Sequence, residues 1–314
     1  MKRENATKTQ QHYLDRIALS VIRIIIGVLV GMQVFVPIIF TYFNIYHSRM
    51  PFMETPEDYD LDYTDVEFKS ADGLNMRGWF IPASGLKSAP GVLLIHGFGT
   101  NRSDLLDVAN VLHKKGYSAL LFDLRAHGLS DGDETTFGIK ESNDIKMAFR
   151  TLSQQKHVDE KKLGIYAVSM GASMAIIASA QEDFVKDNLK AIFLDSPYSQ
   201  LANVLRQRFS YSKGYISPIS VFISKGCASL LLGGNPLDLE PLNLVKDIEV
   251  PMFLVHGSED RTIPSGESES LLKNKIFGIK NMWMAPLSGH LEAHKDYQQE
   301  YETKLVGFFD KYLK

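Results

Sequence analysis

The sequence predicts an α/β fold, in which a mostly parallel sheet is covered by helices on both faces and is preceded by one transmembrane helix. Beyond about residue 60, short runs rich in Val, Ile, Leu or Phe alternate with longer amphipathic stretches, which is typical of such a sheet. An uncharged segment near the N-terminus predicts the helix. With 314 residues, 45% of them hydrophobic and 23% charged, the chain is long enough for a large globular domain.

The uncharged segment covers residues 24–43, and its 20 residues match the length that a helix needs to cross about 30 Å of hydrocarbon. Its many strongly apolar side chains outweigh Gln33 and Pro37 in the free energy of membrane insertion. The segment ends in Phe40-Thr-Tyr-Phe43, without the small residues that a signal peptidase recognises. We therefore expect an uncleaved membrane anchor.

The charges that flank this segment predict its orientation. Residues 1–23 contain five basic and two acidic side chains, whereas residues 44–66 contain one basic and six acidic side chains. Because basic flanks stay on the cytoplasmic side, we expect a single-pass protein of the cell membrane with a cytoplasmic N-terminal segment over 1–23. A transmembrane helix over 24–43, an acidic linker over 44–62 and an extracytoplasmic domain over 63–314 would follow.

Eight short apolar runs predict the strands of the sheet. The first two flank Asp72-Gly73, and an Asp-Gly turn between strand-like runs indicates an antiparallel hairpin. The other six read as buried strands. The predicted strands cover residues 65–69, 76–81, 91–96, 118–123, 163–168, 191–195, 252–256 and 282–286.

Amphipathic stretches between these runs predict helices over residues 105–115, 141–155 and 170–181, which are long enough for right-handed crossovers. Residues 197–250 interrupt the alternation and are too many for a plain connection, so we expect a small helical cap there. The C-terminal helix is predicted from one apolar stripe at three- and four-residue spacing, formed by Tyr297, Tyr301, Leu305, Phe308 and Phe309.

The most specific local pattern is Leu163-Gly-Ile-Tyr-Ala-Val-Ser-Met-Gly-Ala-Ser-Met-Ala175, an apolar strand followed by a serine and then by a helix. It predicts that Ser169 lies on a tight strand-to-helix turn, where strained backbone requires small neighbours two positions away. Ala167 and Gly171 are those neighbours, and Ala167 departs from Gly-x-Ser-x-Gly by one methyl group. Ser169 is the candidate nucleophile.

A serine hydroxyl is a poor nucleophile until a positioned imidazole accepts its proton. His290 follows the last predicted strand, 121 residues after Ser169, and is the candidate base. Asp260 follows the preceding strand and would orient His290, with Asp195 as the alternative carboxylate. Three other histidines do not follow the final strand and are expected to be structural: His96, His127 and His256.

Such a nucleophile also needs donors for the negative oxygen of the tetrahedral intermediate. Leu94-Ile-His-Gly-Phe-Gly99 supplies a glycine-bearing turn at the end of its strand. The backbone amides of Phe98 and Met170 are the expected pair of donors for an oxyanion hole.

A further motif, Phe122-Asp-Leu-Arg-Ala-His-Gly128-Leu-Ser-Asp-Gly132, is similar to the Asp-x-Arg-Gly-His-Gly-x-Ser loop of the α/β-hydrolase superfamily, with Ala126 in place of the usual glycine. Residues 63–314 resemble that superfamily. The resemblance implies an eight-stranded, mostly parallel sheet, a Ser169, Asp260 and His290 triad and the oxyanion hole described above. With its anchor and short cap, the chain is similar to bacterial serine-aminopeptidase-like hydrolases.

We expect no cofactor and no metal. Glu292 lies in the middle of His290-Leu-Glu-Ala-His294, which is not the position that zinc-protease motifs require, and Gly97-Phe-Gly99 lacks the third glycine of a dinucleotide fingerprint. The single cysteine, Cys227, cannot form a disulfide within its own chain. A net charge of −3 argues against a nucleic-acid partner.

These patterns predict a membrane-tethered serine hydrolase that cleaves an ester, a thioester or an amide through an acyl-enzyme intermediate. The expected substrate is a small-molecule or lipid-like acyl compound. Two alternatives stay open at this stage: acyl transfer by the same triad, and a non-catalytic domain of this fold that binds a ligand or partner.

Overall fold

The computed structural model describes residues 2–85, 88–210 and 218–314. Across them, eight strands form one sheet, which confirms the predicted fold class. The strands are β1 (Thr64–Lys69), β2 (Asn75–Ile81), β3 (Ala89–Ile95), β4 (Ser118–Phe122), β5 (Val158–Val168), β6 (Leu189–Asp195), β7 (Met252–Gly257) and β8 (Lys280–Ala285).

The helices alternate with the strands from β3 onward, as the sequence predicts. In the described part of the chain they are α1 (Lys2–Ile45), α2 (Leu106–Lys114), α3 (Glu141–Ser153), α4 (Ser169–Gln181), α5 (Asp183–Asn188), α6 (Leu201–Ser210), α7 (Pro218–Leu232), α8 (Pro241–Leu244), α9 (Gly266–Asn274), α10 (Ala293–Asp296) and α11 (Gln298–Leu313).

The strand order is β1-β2-β4-β3-β5-β6-β7-β8. β1 and β2 form the predicted antiparallel hairpin, β2 also pairs antiparallel with β4, and all the remaining pairs are parallel. The carboxyl ends of the parallel strands therefore meet at one edge of the sheet. Loops that follow β3, β5, β7 and β8 are brought together there.

Two apolar layers bury the sheet between helices. On one face α3, α4 and α9 pack on the strands, and on the other face α2 and α11 do so. The predicted stripe of α11 is present: Tyr301, Leu305 and Phe309 are fully buried, and Phe308 is nearly so. β5 begins earlier than predicted, because residues 158–162 are mostly charged and partly exposed and do not form an apolar run.

The N-terminal helix α1 is continuous over 44 residues and contains the predicted segment 24–43. Residues Gln10–Ile45 are long and apolar enough to cross a membrane, and such a helix near the N-terminus is typical of a membrane span or a signal sequence. Most of its large apolar side chains are exposed on the protein itself. Its C-terminal end differs, because Pro37, Thr41 and Ile45 are buried.

This buried end of α1 packs on α7. Ile45 is 1% exposed and forms an apolar cluster with Ala228 and Leu232. Twelve residues earlier in both helices, the Ser220 hydroxyl donates a hydrogen bond to Gln33 Oε1 at 3.0 Å. The end of α1 is therefore part of the folded domain.

The residues that follow α1 are also fixed to the domain. The amide of Thr135 donates to the Ile45 carbonyl at 2.9 Å, and His47 Nε2 lies 2.9 Å from Thr135 Oγ1. The Arg49 guanidinium donates to several backbone carbonyls of the loop after β4, those of His127, Gly128, Ser130 and Gly132. The sequence analysis assigned residues 44–62 to a linker, whereas the first part of that segment is held against the domain by these bonds.

The predicted cap over 197–250 contains α6, α7 and α8. Residues 211–217 of the cap lie outside the described residues. α6 and α7 face the carboxyl edge of the sheet, and side chains from both helices line the pocket beside Ser169.

A buried ion pair joins the loop after β4 to α3, and its removal should be costly. Arg125 is 2% exposed and makes two hydrogen bonds to Asp144, at 2.6 and 2.8 Å, and two to Asp72. Burial lowers the pKa of Arg125, but both carboxylates outweigh that effect and raise it. We expect Arg125→Met to lower the free energy of unfolding by about 3 to 5 kcal/mol, because Asp144 is left buried without its cation.

Denaturant unfolding of the full-length protein in detergent measures this loss. Asp72→Asn is the matched control, since the Asp72 side chain is 43% exposed and its pair is screened by water, so its cost should stay below about 1 kcal/mol. Equal losses for the two variants would contradict the assignment of Arg125 and Asp144 as the dominant pair.

Candidate active site

Ser169 occupies the turn between β5 and α4, as predicted. Its φ of 52° lies in the left-handed region, which is strained for a residue with a side chain. The turn brings α4 close to the end of β3: a Cβ on Gly171 would overlap the His96 carbonyl oxygen and would lie 2.9 Å from the Ile95 oxygen. Glycine at position 171 is therefore required by the close approach of two backbones, while the buried Ala167 is accommodated.

The structure brings the three predicted side chains together. Ser169 Oγ lies 2.9 Å from His290 Nε2, and His290 Nδ1 lies 2.6 Å from Asp260 Oδ2. With the proton on Nδ1, the imidazole donates to the carboxylate and accepts from the serine hydroxyl. His290 is partly exposed, whereas the Asp260 side chain is completely buried. The arrangement therefore gives Ser169 a base and gives that base a fixed orientation.

The loop after β7 holds the Asp260 carboxylate in place. Its Oδ1 accepts hydrogen bonds from the amides of Thr262 and Ile263 at 2.8 and 2.9 Å. His256 Nε2 lies 3.2 Å from Oδ2. Burial alone would raise the pKa of Asp260, but the hydrogen bonds from His256 and His290 outweigh burial and hold that pKa well below its usual range. Asp260 is therefore a carboxylate at neutral pH.

The predicted oxyanion donors border the same space. Met170 is the second residue of α4, and the first amides of a helix have no partner within the helix. A Cβ atom added to Gly97 would lie 3.2 Å from Ser169 Cβ. The backbone just before Phe98 therefore lies directly against the serine. Phe98 and Met170 both line the pocket next to Ser169. Both residues therefore border the space beside the Ser169 side chain.

The other sequence candidates have different surroundings. Asp195, at the end of β6, is buried and accepts a hydrogen bond from the Tyr301 hydroxyl at 2.8 Å. His96 Nε2 accepts from the Leu124 amide at 3.0 Å, and His127 Nε2 accepts from the Gly99 amide at 3.1 Å. Burial lowers the pKa of both histidines, so they stay neutral acceptors. These histidines fix the loops around Ser169.

Ser169 lines two cavities of different character. The first is mainly apolar, has about 790 Å³ of empty space including its open mouth, and is lined by the cap, by Phe98 and Met170 and by the end of α1. The second has about 1010 Å³ of empty space and a more polar lining, which includes Asp104, Asp107 and His290. Ser169 is therefore bordered by both kinds of surface.

The contribution of α1 to the site was missed by the sequence analysis. Phe40, Thr41, Asn44 and Ile45 line the apolar cavity. A signal was present: Gln33, Thr41 and Asn44 lie on the packed face of an otherwise apolar helix, and polar residues in such helices are typical of helix–helix contacts. Among the described residues, no group of three or more His, Cys, Asp or Glu is arranged to hold a metal.

Known proteins resemble this chain in sequence. The family model described as serine aminopeptidase, S33, matches residues 87–221. The Bacillus subtilis protein YqkD is 25% identical over 255 residues, which are 80% of each chain. The polyketide transferase grgF of a Penicillium species is 27% identical over 209 residues, which are 66% of this chain and 61% of that one.

A solved structure agrees with these sequence relatives. The esterase Pf2001 of Pyrococcus furiosus superposes with a TM-score of 0.72 and 25% identity over 86% of this chain and 99% of that chain. The family match includes the turn at Ser169. By sequence and by fold, the chain belongs to the α/β-hydrolase superfamily.

Proposed function

We propose that this protein is a membrane-tethered serine hydrolase that cleaves an ester, a thioester or an amide through an acyl-enzyme intermediate. One observation carries the proposal: Ser169 Oγ, the His290 imidazole and the Asp260 carboxylate form a continuous chain of hydrogen bonds of 2.9 and 2.6 Å. In this proposal Ser169 is the nucleophile, His290 the general base and Asp260 the group that orients His290.

In the first half of the reaction, His290 Nε2 accepts the proton of Ser169 as Oγ bonds to the carbonyl carbon. The carbonyl oxygen becomes an oxyanion, which the amides of Phe98 and Met170 stabilise. His290 then gives its proton to the leaving alcohol, thiol or amine as the bond to that group breaks. An acyl group on Ser169 remains.

In the second half, His290 removes a proton from water as the water oxygen bonds to the acyl carbon. Collapse of the second tetrahedral intermediate releases the carboxylic acid, and the proton returns from His290 to Ser169. Throughout, the carboxylate of Asp260 stabilises the imidazolium and keeps the imidazole in one orientation.

The relatives support hydrolase chemistry at this site, since a solved structure of similar fold is an esterase. Acyl transfer is the second candidate, favoured by the relative that is named a polyketide transferase. In that reaction an alcohol or amine replaces water as the acceptor, and the polar cavity beside His290 is where it would bind. A domain that only binds its ligand has no need of the aligned serine, histidine and aspartate.

The membrane part of the proposal depends on α1. Its length and apolar composition suit a span, and its packing against α7 supports a helix that is retained as part of the protein. The charge bias of residues 1–23 against 44–66 favours a cytoplasmic N-terminus and an extracytoplasmic domain.

Covalent labelling tests the catalytic proposal. A fluorophosphonate probe should label the wild-type protein, because an activated serine attacks the phosphorus and displaces fluoride. Ser169→Ala should abolish the label, whereas Ser173→Ala should retain it, since the Ser173 hydroxyl is bonded to the Tyr198 backbone one turn away. Labelling that persists in Ser169→Ala would contradict the assignment of the nucleophile.

Protease accessibility in membrane vesicles of known orientation tests the topology. In right-side-out vesicles the large domain should be digested, while an epitope tag before residue 2 should stay protected until the membrane is permeabilised. Full protection of the domain in intact vesicles would show that the orientation is reversed.

A further inference from the structure

The apolar cavity beside Ser169 is lined by three helices, of which α1 and α7 also pack against each other. The end of α1, α6 and α7 each contribute side chains to its lining. The residues that line it from these helices are Phe40, Thr41, Asn44 and Ile45 of α1, Leu201, Val204, Leu205 and Arg208 of α6, and Ser224 and Ala228 of α7.

Helices α1 and α7 run parallel to each other. Near their N-terminal contact Ser220 bonds to Gln33, and near their C-terminal contact Leu232 packs on Ile45. In each helix these contacts are twelve residues apart, a rise of about 18 Å. The start of α7 therefore lies beside Gln33, in the middle of the predicted span over 24–43. If α1 crosses the bilayer at that segment, the first half of α7 lies in the hydrocarbon with it.

The outer surface of α7 suits that location. Ile219, Phe222 and Leu230 are 60%, 75% and 85% exposed, and they continue the exposed apolar surface of α1. Large exposed apolar surfaces of this kind mark contact with lipid or with another protein. The charged residue of α7, Lys225, is paired with Asp238 at 3.1 Å, on a long stem that can carry its ammonium toward the interface.

The lining of the second cavity indicates what the other part of the substrate would be. Ser169 also lines this cavity, whose lining is more polar than that of the first and includes Thr100, Asp104, Asp107 and His294. His294 Nδ1 bonds to Asp107 at 2.8 Å. An amphiphile with an apolar acyl chain and a polar head group matches the two cavities, with its carbonyl carbon at the serine that lines both.

We infer that the substrate is an acyl ester of a membrane lipid, whose acyl chain enters the cavity between α1 and α7 from the hydrocarbon of the bilayer. This inference rests on the proposed function and names its substrate class. The ester bond between the acyl carbon and the head-group oxygen breaks, the acyl group passes to Ser169, and the head-group alcohol leaves with the proton of His290. Water then releases the fatty acid.

The test uses the full-length protein in phosphatidylcholine vesicles and two probes, p-nitrophenyl palmitate dissolved in the bilayer and p-nitrophenyl acetate in water. Wild type should prefer the palmitate in kcat/KM by more than about tenfold. Ala228→Trp fills the cavity from α7, and it should lower palmitate hydrolysis by about tenfold more than acetate hydrolysis.

Leu230→Trp is the matched control, because it adds the same side chain on the outer face of the same helix. Both rates should stay close to wild type in this variant. If Ala228→Trp loses fluorophosphonate labelling and is therefore misfolded, Val204→Trp provides the same obstruction from α6.

The outcomes separate this inference from the proposed function. Wild type that prefers acetate, or cavity variants that lower both rates equally while they still label, would overturn the lipid substrate and leave the hydrolase intact. If Ser169→Ala hydrolyses both esters like wild type, the proposed function fails and the inference fails with it.

Discussion

Ser169→Ala is expected to lower kcat for ester hydrolysis by about 10⁶, and His290→Ala by a similar factor. The reason is that the two groups act as a unit: without the base the hydroxyl is a weak nucleophile, and without the hydroxyl the base has nothing to activate. Their hydrogen bond of 2.9 Å is the structural basis of that unit. Steady-state kinetics on a soluble ester measure both losses.

The double variant, which combines Ser169→Ala with His290→Ala, tests whether the two residues act together. Because each single change already removes the whole nucleophilic pathway, the double variant should be no slower than the slower single variant, and residual activity from the oxyanion donors should remain. If the two losses instead multiply to a total factor of about 10¹² in kcat, the two residues act independently, and the proposed mechanism is contradicted.

Asp260→Asn is expected to lower kcat by about 10⁴, with little change in the fold. An amide has nearly the same shape, but its NH₂ group cannot accept from His290 Nδ1, so the imidazole is stabilised in the tautomer that presents a proton to Ser169. Glu259→Gln is the matched control, because Glu259 is the adjacent, exposed carboxylate. Equal losses in both variants would show that the general negative charge of the loop matters more than the bond to His290.

The low pKa of Asp260 sets the pH range over which its carboxylate stabilises the folded protein. Its folded pKa is depressed below the usual value near 4, so the stability that it contributes is fully present above about pH 4 and is lost only as the pH falls through the folded pKa. The difference in stability between wild type and Asp260→Asn should therefore be constant across neutral pH and should shrink only in strong acid.

The parts of this protein that could be predicted from the sequence are those with a local signature. Buried parallel strands are uninterrupted apolar runs, so β3, β4 and β6 were visible with bounds close to those observed. The three proposed triad residues could be located in the sequence because each follows a strand, and parallel strands present their carboxyl ends at one edge. The strained φ of Ser169 agrees with the need for small flanking residues that the sequence already showed.

The remaining features depend on contacts between distant segments, which no local pattern encodes. The acidic residues after residue 43 predicted a linker, but the Arg49 guanidinium donates hydrogen bonds to carbonyl groups more than 75 residues away. The apolar cavity arises from the placement of α1, α6 and α7 against the domain, and the apolar composition of α1 alone indicates only a membrane span. Packing partners of a helix are set by three-dimensional complementarity, which sequence periodicity does not specify.

The direct passage of α1 into the domain has a mechanical consequence. Because Ile45, His47 and Arg49 are hydrogen-bonded to the domain, a bilayer around α1 would set both the height and the tilt of Ser169 relative to one leaflet. In the proposed function, the enzyme would meet its substrate by lateral diffusion, so its turnover would follow the two-dimensional density of substrate in that leaflet. Truncation before residue 50 would change which molecules reach the serine, besides releasing the protein into water.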